Sequence, residues 1–378
     1  MGSYYANAFC CVCASRAADS TEGFLTERKV ARYGWRPMCI PRRSVLGQAS
    51  TDIEKGFLEV KEPERRLAGE LRDEPLMQRA WCFQEWMLSP RKLHWTKNGL
   101  FWECKSIFGI CEDNTPCVDW TKMEEAPLIF QLPPQEALVG SWYELVSKYS
   151  ARNLSYGRDR LAAIQGVASQ LAQKHNVEYR AGLFRYYLAN GLCWSRVRNS
   201  WALTNRHFPS WSWACMSPVK FTNSELSNES LIHSARFQAP ARRDIVEDFS
   251  DPTSRLLHLE APLMELELVA AHTDEFGDEE RRIRGANIYT SPTWPNSNIW
   301  FTLDSPQVIP SRVHVVWLIR TIQNTHLGED TKCYVELLLK KSRLGDRKVW
   351  ERRAYAELLV HPEHDMDLTR WRKPVDLI

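Results

Sequence analysis

The segment Pro75-Leu-Met-Gln-Arg-Ala-Trp-Cys-Phe-Gln-Glu-Trp-Met-Leu-Ser-Pro-Arg-Lys-Leu-His-Trp-Thr-Lys-Asn-Gly-Leu-Phe-Trp-Glu-Cys104 carries a helix, a stop and a hairpin in one run. Pro75 suits a first helical turn, where its missing N–H has no partner to lose. From Leu76 to Leu88 the residues are apolar almost all round, with Gln78, Arg79, Gln84 and Glu85 as polar exceptions. That pattern predicts a helix buried inside a domain. Ser89-Pro90 stops it, because the ring removes a donor and turns the preceding residue away from helical geometry. Residues 91–95 and 100–104 then read as two short strands. Thr96-Lys97-Asn98-Gly99 joins them, and its Asn-Gly pair is a strong hairpin signal.

The order Arg79-Ala80-Trp81-Cys82-Phe83-Gln84-Glu85, Leu88-Ser89-Pro90-Arg91, Leu93-His94 and Phe101-Trp102-Glu103-Cys104 resembles the third conserved block of the fungal heterokaryon-incompatibility (HET) domain. The residues that carry the likeness are Arg79, Trp81, Gln84, Glu85, Ser89, Arg91, Trp102, Glu103 and Cys104. Trp86 departs from the family pattern, which often has a basic residue there. Further pieces are similar to the family: Met1, Tyr5 and Ala8; Asp19-Ser20, Gly23-Phe24-Leu25 and Arg28; Tyr149-Ser150-Ala151-Arg152; the run from Asp159 to Gly166; Ala181-Gly182-Leu183; and Pro209-Ser210-Trp211-Ser212-Trp213-Ala214. The family's two leading blocks do not occur, so the chain resembles a member shortened at its N-terminus.

Elsewhere the patterning gives a coarse outline. Phe9-Cys-Cys-Val-Cys-Ala14 is a continuous apolar run, as in a parallel strand buried on both faces. Trp142, Leu145, Val146 and Tyr149 predict a helix over 141–150. Leu161, Ile164, Ala168 and Leu171 predict another, closing near Lys174-His175-Asn176, and a third is expected over about 181–194. Trp211 and Trp213 alternate as on one face of a strand. Segments 256–268, 298–303, 313–320, 333–339 and 348–360 read as strands, the first split or edged by Pro262.

Together these readings predict an α+β fold. A partial α/β remnant, TIR-like as the HET resemblance implies, comes first, then a helical segment, then a largely antiparallel β C-terminal region. The expected divisions are 1–112 for the C-terminal part of a HET domain, 113–137 for a linker, 138–220 for the helical segment and 221–378 for the β-rich region.

Composition narrows the function classes. Lysine and arginine number 49 against 47 acids, a net +2 over 378 residues, which offers no electrostatic case for nucleic acid or membrane. Eleven cysteines, an odd count set in apolar runs, fit reduced thiols in the cytoplasm. No phosphate-binding glycine loop and no G-x-S-x-G elbow occur. Cys10 and Cys13 have no second pair to complete a zinc site, and Pro362 spoils a helical His361/His364 face. No cofactor, metal or catalytic residue is therefore assigned. Residues 340–353 form the most basic window and read as a solvated hairpin tip, since Trp350 is their only aromatic platform. Trp81 and Trp102 are expected in the core.

The resemblance implies a signalling or recognition protein of fungal non-self response and programmed cell death, impaired by its shortening, whose partners are other HET or signalling proteins. Two alternatives stand beside it. One is a TIR-like NAD-consuming enzyme, for which Glu85 is the candidate glutamate. The other is an inactive regulatory fragment that pairs with a full-length HET protein.

Overall fold

The computed structural model describes residues 2–24, 38–41, 57–60, 71, 73–97, 99–104, 110–111, 126–197, 205–221, 229–238, 249–270, 287–291, 294–304, 311–324, 330–360 and 368–378. Asp274 to Arg284, Cys117, and His361 to Asp365 lie outside them. The chain divides into two compact units. One holds residues 3–79 and 89–125; the other holds 1–2, 80–88 and 126–378. The boundary expected at 220/221 thus falls inside a single unit.

In the first unit, strand β1 (Cys11–Cys13) lies parallel to β2 (Arg91–Thr96), which forms an antiparallel hairpin with β3 (Gly99–Cys104). Ile110–Cys111 adds a short outer strand. The register pairs Thr96 with Gly99, which sets Gly99 on the strand and differs from the Lys97↔Leu100 pairing that an Asn-Gly turn would give. β1 is parallel, as expected, but it is not buried on both faces. Among the described residues it lies at the sheet edge, with Val12 56% and Phe9 81% exposed.

The long helix expected over 76–88 is broken in two. Pro75–Gln78 forms a 3-10 turn, Arg79 is extended (φ −86°, ψ 130°), and only Cys82–Leu88 is α-helical (α1). The break has a partner outside the segment: the Ala80 N–H donates to the Asn153 carbonyl at 2.9 Å. Arg79 is exposed, so it bears none of the burial cost that a continuous buried helix would impose.

In the second unit α2 (Trp142–Ser150) continues a π-helical turn, Glu136–Ser141, and α3 (Gln165–His175) ends on Asn176 in the left-handed region (φ 51°). Ala126–Phe130 is a 3-10 turn, so the described end of the expected 113–137 linker is helical. The third helix is mostly absent. Tyr179–Arg180 and Leu183–Phe184 pair through a turn at Ala181 (φ 48°) and Gly182 (φ 90°), leaving helix only at Leu188–Leu192. A Cβ on Gly182 would lie 2.3 Å from Trp213 Nε1, so glycine is required where this turn meets that indole. Trp211 and Trp213 are fully buried, on a turn leading into the 3-10 helix Trp213–Cys215 and not on a strand.

The C-terminal region is a sheet of ten strands among the described residues. Its main members are β4 (Leu257–Glu267), β5 (Trp294–Leu303), β6 (Arg312–Asn324), β7 (Asp330–Leu344), β8 (Arg347–Val360) and β9 (Arg372–Leu377). The pairings are antiparallel except for a single parallel bridge, Trp350↔Leu377. That bridge closes a ring of neighbours, β6–β4–β9–β8–β7–β6. Pro262 does not split β4. It sits where the ladder changes partner, from β9 at residues 257–262 to β6 at 263–267, so a missing donor is tolerated. Met264, Leu266, Val315, Trp317, Tyr334, Leu338 and Leu358 belong to the apolar cluster of this sheet.

Candidate functional site

Alternation along a strand sends side chains to opposite faces. On β2 this groups Lys92, His94 and Thr96; on β3 it groups Phe101 and Glu103. All five are buried. Lys92 and Glu103 are direct cross-strand partners, with Lys92 Nζ 2.6 Å from Glu103 Oε1. His94 lies on the diagonal and places Nε2 3.0 Å from Glu103 Oε2. Each carboxylate oxygen therefore has its own donor. On the other side of the imidazole, Nδ1 is 3.5 Å from the hydroxyl of Ser15, just beyond β1.

The electrostatics follow from this packing. Burial pushes the Glu103 carboxyl up, but the His94 hydrogen bond and the Lys92 charge outweigh it and hold the group down at about 2. The Cys13 thiol, register partner of His94, is pushed far up by its hydrogen bond to Cys11 and by burial, so it is no nucleophile. Ser15, His94 and Glu103 stand in the order of an acyl-transfer relay. The nucleophile in such a relay must reach a substrate, whereas Ser15 is fully buried and its hydroxyl also points to the Cys13 carbonyl at 3.4 Å. What the cluster can do is tie the two hairpin strands together by charge and reach the segment after β1 through the His94–Ser15 contact.

No family model, curated protein or solved structure matches the chain.

The residues singled out from the sequence fall into both units. On the hairpin, Arg91 is exposed; its guanidinium sits over the Phe9 ring at 4.9 Å and donates to the Phe9 carbonyl at 3.3 Å, steering the chain into β1. Trp102 and Cys104 occupy the face opposite Glu103 and are half-buried, as is Trp81, so neither tryptophan is a core residue. Ser89 is buried at the end of α1. In the second unit, Gln84 is 3% exposed and its Oε1 accepts the Gly166 N–H at 2.5 Å, answering an otherwise orphan donor at the start of α3. Phe83 meets the Tyr149 ring at 5.2 Å and the Arg152 guanidinium at 4.8 Å. Glu85 is half-buried on α1.

Sequence reasoning named Glu103 but gave no role to Lys92, His94 or Ser15. Alternation puts Lys92, His94 and Glu103 on one face, but a turn centred on Asn98-Gly99 would set His94 opposite Glu103. The observed Thr96↔Gly99 register sets Lys92 there instead, with His94 diagonal. Ser15 had no such signal, because its place depends on a pairing far along the chain. Among the described residues, no three His, Cys, Asp or Glu side chains gather as metal ligands, and no helix is long and apolar enough to cross a membrane.

Proposed function

We propose that this chain is a HET-type signalling or recognition protein of fungal non-self response, acting in programmed cell death. The observation that carries the reading is a contact between segments tied to the family independently: Gln84 of the third block binds Gly166, which ends the Asp159 to Gly166 run. Phe83 with Tyr149 and Arg152 joins a third such segment to the same place. We place its action in the cytoplasm, beside other HET or signalling proteins, with no resident cofactor or metal. Inducible expression in fungal hyphae tests this. Growth arrest and vital-dye uptake are expected, and both should weaken in Gln84→Ala. Normal growth at confirmed expression would refute the proposal. NAD measured in the same hyphae separates signalling from a TIR-like NAD-consuming activity, which alone predicts a fall that precedes dye uptake.

A second reading is a regulatory fragment that pairs with a full-length HET protein. It is favoured by the edge position of β1 among the described residues and by the exposure of Phe9 and Val12 there. Co-purification with a complete HET domain, lost in Val12→Lys, is its expected signature.

A further inference from the structure

The basic window 340–353 contributes to more than a hairpin tip. Arg343, Arg352 and Arg353 line one open cleft of about 690 Å³ together with Arg206 and Arg255. The acidic side chains of the described lining are Asp304 and Glu351, both already engaged, and Ile378 adds the terminal carboxylate. Arg352 Nε lies 3.1 Å from Asp304 Oδ2, and the same guanidinium donates to the Leu192 carbonyl at 2.8 Å and to that of Trp194. Glu351 takes Arg353 Nη2 at 2.6 Å on one oxygen and the Ser342 hydroxyl at 3.0 Å on the other.

The remaining three arginines have no carboxylate at ion-pair distance among the described residues. Arg255 is held without being neutralised: Nε donates to the Phe249 carbonyl at 2.7 Å and Nη1 to the Arg206 carbonyl at 3.2 Å. Among the described residues, five guanidinium groups face the carboxylates of Asp304 and Glu351 and the terminal carboxylate of Ile378, a surplus of two positive charges in one cleft, as large as the net +2 of the whole 378-residue chain. A concave wall of one sign focuses its field on whatever enters. Guanidinium forks match phosphate oxygens two at a time, which a point charge does not. The volume falls in the range of small-molecule pockets. Phe208 is the only aromatic among the described lining residues, which do not supply the row of stacking platforms of a single-strand track. Phe208 and Met216 supply an apolar wall beside the charges.

We propose that this cleft binds a small molecule bearing two or more phosphate groups, held by Arg206, Arg255 and Arg343. Titration calorimetry on the full chain, at fixed ionic strength, tests it with inorganic pyrophosphate as the probe. Arg206 and Arg343 are exposed, so the double variant Arg206→Ala/Arg343→Ala can be made without touching the core. It should bind pyrophosphate at least about tenfold more weakly, the effect of losing charge-assisted hydrogen bonds. Lys340→Ala, on the same hairpin but outside the cleft, should bind as wild type does. Arg343→Glu alone should also weaken binding, which keeps the test open should the double variant fold poorly. The proposal is overturned by no binding at about 1 mM pyrophosphate, by equal binding in the double variant, or by a short single-stranded DNA that binds more tightly than pyrophosphate.

Discussion

Lys92 and Glu103 face each other across the β2–β3 hairpin at 2.6 Å, on a face from which water is almost wholly excluded. Two charges taken out of water are costly, and their attraction offsets that cost only where the remaining hydrogen-bonding capacity is also met. Here it is met, because His94 takes the second carboxylate oxygen.

Removing one partner should therefore be far worse than removing both. Lys92→Met leaves a buried carboxylate short of its main counter-charge and is expected to cost about 3–5 kcal/mol, by the measured penalty for breaking buried pairs. Lys92→Met/Glu103→Leu should recover most of that loss. Urea unfolding of the two single variants and the double gives the coupling directly; a double variant as unstable as the summed singles would remove the pair from the account.

The same cluster sets a pH dependence whose sign is fixed by the direction of the shift. Glu103 is held at about 2 when folded, against an ordinary 4.5. The unfolded chain therefore takes up the proton first. The stability this carboxylate contributes is fully present above about 4.5 and drains away as pH falls toward 2. Unfolding measured from pH 6 to pH 2 should show that loss, and Glu103→Gln should flatten it. An unchanged slope in the variant would assign the acid sensitivity elsewhere.

Gly166 is the second place where one atom matters. A Cβ there would lie 2.6 Å from Gln84 Oε1 and 3.2 Å from the Gly2 Cα. Gly166→Ala must displace the Gln84 amide and break its bond to the α3 N-terminus. The expected cost is about 1–3 kcal/mol, from overpacking and a lost buried hydrogen bond. Gln84→Ala removes the clash, so the double variant should be less destabilised than the two singles predict, as thermal unfolding can show.

Glu336 should respond in the opposite sense. It lies between its register partners Trp317 and Ala356, fully buried, and neither carboxylate oxygen has a hydrogen-bond partner among the described residues. Burial raises its carboxyl well above the usual range, so the folded protein holds this proton to higher pH than the unfolded chain does. Below the ordinary carboxyl range both states are neutral and the group is indifferent to pH. As pH rises the unfolded chain ionises first, and stability falls until the folded group follows. Glu336→Met should stabilise at pH 7 by about 1–3 kcal/mol, by removing a buried polar group without a partner. Trp317 offers a nearby fluorescence signal; a less stable Met variant would mean that the glutamate is anchored after all.

Much of the local architecture was legible in the chain. The hairpin of residues 91–104, the Ser-Pro stop, the cap at Asn176 and the long strands of the C-terminal region each follow from residues close in sequence, because turn chemistry and side-chain periodicity act within one element. Strand ends erred in both directions: 333–339 became Asp330–Leu344, while 256–268 shortened to Leu257–Glu267. The failures share a cause. The 76–88 helix breaks because Ala80 finds a carbonyl at Asn153, and the 181–194 helix gives way to a turn packed on Trp213.

Alternation alone established that Leu93, Trp95 and Trp102 share one face of the hairpin and that Lys92, His94 and Glu103 share the other. Tertiary structure decided that the charged face is the buried one, where Cys13 of a strand distant in sequence, and Ser15 just beyond that strand, come up beside His94. It likewise decided that strands predicted one by one close into a ring, through a single bridge between Trp350 and Leu377. Periodicity records how a backbone repeats. Which face loses water, and which edge finds a partner, depends on groups that only the folded chain brings near.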